Sequence, residues 1–274
     1  MVSDAGRPRQ VAERKATRKV GSWSRFRRPV LGTVGLVAFV AFWWLAYRLG
    51  WTAGNTLPDP LALPQEFLRE WNSGTWQRSV RSSLIHYGWG LGAGTALGLA
   101  VGVAAGVSRT FDDLHSFVAR ILRPIPPLAW VFFAIAWFKV THASAAFVIA
   151  IGVFWVNYFA SYAAVKSVDP GLLELANSFG RGGLWARLST VILPSASPGM
   201  LAGVRTGLGQ AWMILIAAEI LGVPGMGQEM LSAASLVAFE AVAVYMLTIS
   251  AFYTLSDALF QVLEARLLRW RPAS

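Results

Sequence analysis

Six stretches of this chain are apolar for long enough to cross about 30 Å of hydrocarbon, and that sets what it can become. They run from Val30 to Tyr47, Leu84 to Val107, Ile125 to Phe138, Ala143 to Val165, Gly199 to Leu221 and Ala241 to Leu263. A segment inside lipid must satisfy its own backbone hydrogen bonds, so the runs predict transmembrane helices and an all-α integral membrane fold. Composition agrees: 55% of the 274 residues are hydrophobic and 14% charged, with mean hydropathy +0.50. That leaves too few polar side chains to coat a soluble globule. The third run is short, and Pro124, Pro126 and Pro127 interrupt its start. Leu114 to Arg123 is therefore expected to lie in the interface as a helix leading into it.

Six spans put both termini on one side, and the basic residues say which. With the ends inside, nineteen Lys and Arg fall on the cytoplasmic side and five outside: Arg48, Arg69, Arg78, Arg81 and Lys139. Positive residues are retained on the cytoplasmic face, so both ends are expected there. Of the net charge of +10, the segment Met1 to Arg28 carries +7, from nine basic and two acidic residues. It reads as a topogenic tail attracted to anionic lipid, disordered for want of apolar residues, and it makes nucleic-acid binding unnecessary. No clean small-x-small site follows the first run, so it is expected to remain as an uncleaved anchor.

The polar chemistry excludes most enzymes. There is no cysteine, hence no thiol catalysis or thiolate metal site. His86, His115 and His142 stand apart in sequence at no metal-ligand spacing, so no metal is expected. Neither a G-x-S-x-G elbow nor a G-x-x-x-x-G-K-[ST] phosphate loop occurs.

One polar interval, Lys166 to Pro198, separates the fourth and fifth runs. In it Asp169 is placed to cap a helix, Pro170 to begin it and Gly180 to end it, which predicts a short helix from about Pro170 to Phe179. Leu172, Ala176 and Phe179 share one face. After Gly182-Gly183 the pattern resumes with Leu184, Trp185, Leu188, Val191 and Ile192, predicting a second small amphipathic helix. Periodicity alone fits a groove on another protein and the lipid headgroups equally well.

The residues of this interval resemble the Glu-Ala-Ala loop of ABC importer permeases, whose form is E-A-A, three residues, G, a spacer, then I-x-L-P. Here it reads Glu174-Leu175-Ala176, Gly180, then Val191-Ile192-Leu193-Pro194. Leu175 replaces the first alanine, and the spacer is one residue longer than the family form. Pro198, Gly203, Arg205, Gly207, Gly209, Trp212 and Ala217-Ala218-Glu219 continue the resemblance toward the nitrate, sulfonate and taurine branch. Leu57-Pro58-Asp59-Pro60 and the segment from Leu122 to Ala129 also fit it.

The resemblance implies a type I importer permease of a bacterial inner membrane. It would carry a small solute, an organic or inorganic anion such as an aliphatic sulfonate, taurine or nitrate. Two permease subunits, identical or paralogous, would pair around one path. Cytoplasmic ABC ATPase subunits would bind below, and an extracytoplasmic solute-binding protein would deliver cargo. No cofactor is implied. Glu174, Ala176, Gly180, Leu193 and Pro194 would form the ATPase-coupling site. A secondary carrier and a non-transporting membrane scaffold are the alternatives. The expected layout is a basic tail over 1–28, an anchor over 29–49 and an external amphipathic segment over 50–81. A permease core over 82–264, with its coupling loop at 166–198, and a C-terminal tail over 265–274 complete it.

Within the spans, Gly90, Gly94, Gly98, Gly102 and Gly106 repeat every four residues and predict close helix contact, either static or sliding. Glu219 would be costly facing lipid. It is expected to bond a neighbouring helix or backbone N–H groups, or else to act, with Arg205 and Trp212, in a gate or pathway. Arg205 has the further option of snorkelling to the cytoplasm. Trp43, Trp44, Trp51, Trp71, Trp76, Trp89 and Trp270 are expected in an interfacial belt.

Overall fold

The computed structural model describes residues 23–52 and 56–270, and these are helices and their connections with no strand among them. The chain divides at Ala53 into two units. The first holds α1 (Trp23–Arg48), whose stretch Val30–Arg48 is long and apolar enough to cross a membrane. It closes with the Arg48 guanidinium 5.1 Å from the Trp44 ring. Most of the tail expected over 1–28 lies outside the described residues, as do the last four residues of the C-terminal tail.

The second unit contains α2 (Leu63–Asn72), α3 (Thr75–Val107), α4 (Arg109–Leu122), α5 (Val131–Phe138) and α6 (His142–Lys166). It continues with α7 (Pro170–Ser178), α8 (Leu184–Arg187), α9 (Leu193–Ile220), α10 (Met226–Ser235) and α11 (Phe239–Leu267). Four of its helices are long and apolar enough to cross a membrane: α3, α6, α11, and the helix running from α8 through α9. Among these α6 is the most buried, because glycine lets a neighbour approach it on either side.

Against α3 the approach is a ladder. Gly90 faces Ile149, Gly94 faces Val153, Gly98 faces Asn157, Gly102 faces Ser161 and Gly106 faces Val165. A methyl group added at any of the five would fall 2.5–2.7 Å from an α6 atom. Both helices advance four residues per rung in the same direction, so they run parallel and coil about one another. On the other side Gly199, Gly203 and Gly207 meet Ala164, Ala160 and Asn157 in descending order, so α9 runs antiparallel to α6. Asn157 is fully buried between these contacts, with its Nδ2 donating to the Val153 carbonyl at 3.0 Å.

Because α3 and α6 are parallel, the chain between them must return across the layer. It does so through α4, a 3-10 turn at Pro127–Trp130 and α5, with a bend of 89° at the proline break. The α4 end packs Ala119 against Ala105 and Tyr158, and α5 packs Val131 and Ala134 against Ala145 and Val148. The helix expected from Leu114 starts at Arg109, where Ser108 Oγ accepts from the Phe111 N–H at 3.3 Å. Two further boundaries differ from expectation. Helix α3 begins at Thr75, well before the apolar run that opens at Leu84. The second small amphipathic helix predicted from Leu184 is not separate. It runs through a π turn at Leu188–Ile192 directly into α9.

Candidate functional site

Two constellations stand at opposite ends of α6 and α9. The first is the knuckle between them. Asp169 Oδ1 accepts from the Gly171 N–H at 2.8 Å and caps α7, with Pro170 in the first turn. Gly180 turns the chain at φ +74°, a left-handed conformation that side chains resist. There the Gly180 and Arg181 N–H groups donate to the carbonyls of Asn177 and Ala176 at 3.0 and 2.9 Å, closing the helix end. Arg187 Nε donates to Asn177 Oδ1 at 3.0 Å and ties α8 back to α7.

One side of the knuckle is anchored: Leu173 packs with Val165, Ile192 and Ala196 at the feet of α6 and α9, and Ala176 is buried. The other side is bare. Leu172, Leu175, Phe179, Leu184 and Trp185 are exposed, the last two aromatics at 76% and 81%. Glu174 is exposed beside them with no ion-pair partner among the described residues. Leu193 is partly exposed and Pro194 sits in the first turn of α9. Of the three residues expected on one face, Leu172 and Phe179 are exposed and Ala176 is buried. An exposed apolar patch rimmed by polar residues is the kind of surface that docks a partner.

The spacer runs through the π turn at Leu188–Ile192. A turn closed by i→i+5 hydrogen bonds takes up one residue more than an α-turn and leaves the helix on either side in register. It is thus a place where an additional spacer residue can be held without turning α9.

The second constellation is polar and dry. Glu219, near the end of α9, is fully buried. Ser83 Oγ donates to it at 2.7 Å, the Gly227 N–H at 2.9 Å, and His86 Nδ1 lies 2.8 Å from its Oε1. At that distance Nδ1 and Oε1 share one hydrogen. Ser83 Oγ in turn accepts from the Met226 N–H at 2.9 Å. Glu219 and Ser83 therefore occupy the N-terminus of α10 and satisfy its first free N–H groups. Gly225 and Gly227 are required for this closeness, since a Cβ at either would strike the Glu219 side chain. On its far edge His86 Nε2 stands 2.7 Å from Nδ1 of the exposed His142, one hydrogen shared between the rings. The Glu219 carboxylate thus joins α9 to α3 and α10, and His86 extends the chain to His142 of α6.

His86 and His142 stand 56 residues apart on different helices, so local spacing does not reveal the pair. Their common position near the starts of two parallel spans, at the level of Glu219, is the signal that would. Arg205 is also engaged: it grips Asp257 of α11 with two hydrogen bonds, at 2.9 and 3.1 Å, and its side chain is 43% exposed. Trp212 is buried, stacked on Tyr87 at 4.3 Å between centroids. On the same α9–α11 face lies an open groove of about 580 Å³ lined by Trp212, Met213, Met230, Met246 and Tyr253. Among the described residues no three potential ligands gather to hold a metal ion.

Residues 94–269 match the family described as binding-protein-dependent transport system inner membrane component. The aliphatic sulfonates transport permease protein SsuC of Escherichia coli (strain K12) is 36% identical over 242 residues, covering 86% of this chain and 90% of that one. The taurine transport system permease protein TauC of the same organism is 30% identical over 261 residues, covering 90% and 92%. Among solved structures, the inward-facing MetNI methionine ABC transporter has the same fold, with a TM-score of 0.60 at 19% identity over 73% of this chain and 97% of that one. The match runs from the glycine ladder through the knuckle to the foot of α11, and the chain belongs to this family of cell-membrane permease subunits of ABC importers, whose ATP hydrolysis is carried out by separate chains.

Proposed function

We propose that this chain pairs with a second permease subunit to form the path of an importer for small organic anions of the sulfonate class, driven from the cytoplasm through α7. The observation that carries the reading is the bare side of the knuckle. Leu175, Phe179, Leu184 and Trp185 form an apolar patch around the unpaired Glu174, on a piece anchored to both α6 and α9. A partner that closes on ATP and holds this patch moves the feet of both helices together, which suffices to switch a two-state path. The excess of Lys and Arg on the knuckle's side supports placing it, and both termini, in the cytoplasm.

The second subunit is supported by the exposed Arg205–Asp257 pair. An ion pair within two spans is costly against hydrocarbon, so this face and its groove suit a protein partner or an aqueous path. The sulfonate class rests on the two Escherichia coli relatives, one named for aliphatic sulfonates and one for taurine, an aminosulfonate.

The test is ATP-dependent uptake of ethanesulfonate and taurine in liposomes holding the chain with its ATPase and binding-protein partners. Glu174→Lys should lower uptake more than about tenfold, because a rim charge is reversed, while the variant still inserts. Unchanged uptake with unchanged ATPase association overturns the coupling assignment.

A further inference from the structure

A second cavity, on the knuckle side of the molecule, shares no lining residue with the α9–α11 groove and none with the bare patch of the knuckle. It has a volume of about 570 Å³ and opens between α4 and the last turns of α6, lined among others by Arg120, Arg123, Pro124, Tyr158, Phe159 and Tyr162. Its one carboxylate, Asp112, is already engaged: Lys166 Nζ lies 3.3 Å from it and Tyr162 donates to it at 2.9 Å. The two guanidiniums are not. Neither Arg120 nor Arg123 has a carboxylate within ion-pair distance among the described residues, and both are exposed. Arg123 is nonetheless held in place, 4.3 Å above the Phe159 ring.

Three features define what fits. Two guanidiniums one helical turn apart present a fork of N–H donors suited to a phosphodiester. The wall facing them, Tyr158 to Tyr162, is aromatic and lies within about two turns of the end of α6, the depth at which headgroups meet chains. Beside the mouth, α4 exposes a continuous apolar stripe, Leu114, Phe117, Val118 and Ile121, between 45% and 74% exposed. A small hydrophilic anion would leave that stripe uncovered. A lipid would cover it with an acyl chain.

We propose that this cavity binds the headgroup phosphate of an anionic phospholipid, held by Arg120 and Arg123, with one chain lying along the exposed face of α4. The site rests on the membrane placement of the chain and not on ATPase docking or cargo, so the two readings fail separately.

The experiment is native mass spectrometry of the full chain released from nanodiscs of dioleoyl phosphatidylglycerol mixed equally with dioleoyl phosphatidylcholine. The wild type should retain phosphatidylglycerol selectively. The double variant Arg120→Gln, Arg123→Gln should lose about thirtyfold of that preference, from roughly fivefold per basic residue at an anionic surface. Arg266→Gln, which removes an exposed charge on α11, should keep it. An equal loss in Arg266→Gln shows diffuse attraction and overturns the site. So does displacement of the lipid by inorganic phosphate or acyl-free glycerophosphoglycerol at matched concentration, which makes it a small-anion site. Should the double variant misfold, a phosphatidylglycerol with a photoreactive headgroup replaces it. Crosslinks in the wild type mapping to α4 and the end of α6 support the proposal, and crosslinks confined to other segments overturn it.

Discussion

A carboxylate with no access to water persists in α9 because donors from three other places reach it, and each of those donors would otherwise be unsatisfied. Removing Glu219 strands the Ser83 hydroxyl, the His86 ring and the Gly227 N–H together. Glu219→Leu should therefore cost about 3 to 5 kcal/mol, as breaking a buried pair does. Glu219→Gln, which keeps an acceptor and much of the shape, should cost roughly 1 to 3 kcal/mol. His142→Phe, at the exposed edge, should cost at most about 1 kcal/mol. Reversible unfolding of the purified chain in mixed micelles checks the order, and equal losses for all three would show that the node is not what holds α10. The sequence makes a bonded Glu219 legible, since an unpartnered carboxylate in a span is expensive. Its partners are not legible, because Ser83 and His86 come from a part of the chain that meets α9 only once the spans have packed. Asp257 is not legible for the same reason. An Arg near a span end has the option of reaching water, and nothing local tells that it closes on α11 instead.

At the scale of elements, periodicity located the helices well and their limits less well. Spans were delimited by hydrophobicity, but α3 continues outward to Thr75 because packing on α11 supports its polar start: Trp76 Nε1 donates to Thr248 at 3.1 Å. The glycine repeat of α3 is legible as a contact stripe, whereas its partner is not. Off the ladder, Gly92 has nothing within 4 Å of where a Cβ would be. Gly92→Ala should thus be neutral or stabilise by up to about 1 kcal/mol from helix propensity. Gly98→Leu, driven into Phe154 and Asn157, should abolish uptake while the chain still reaches the membrane fraction. Normal uptake by the Leu variant removes the tight contact. The π turn yields a less intuitive expectation. Deleting the exposed Ser189 converts it to an α-turn without rotating its flanks, so uptake should stay within about twofold. Deleting Thr206, in the regular part of α9, twists everything beyond it by about 100° and should eliminate uptake. Equal damage from both deletions would mean that the π turn is not where the extra residue is held.

For the molecule as a whole, the family assignment removes the secondary-carrier and scaffold alternatives and leaves the sidedness to be measured. The absence of cysteine makes that simple. Ser178→Cys, on the knuckle, should be shielded from a membrane-impermeant maleimide in intact right-side-out vesicles, and Ser73→Cys, at the end of α2, should be labelled. The reverse pattern inverts the topology. Fold class and subunit type were legible because a bilayer admits few solutions and the loop between the fourth and fifth runs has a distinctive order of residues. The right-angle corner between α4 and α5 was only half legible: the prolines mark a break, but not how far the chain turns there.

The interlocked shafts α3 and α6 have a mechanical corollary. In the proposed cycle, a seam with no room for even a methyl group should make α3 and α6 travel together as a single strut when the knuckle is pulled. Whatever compliance the cycle demands then resides elsewhere, at the proline corner and along the α9–α11 flank, and that is where freezing the hinges with crosslinks should stall the machine.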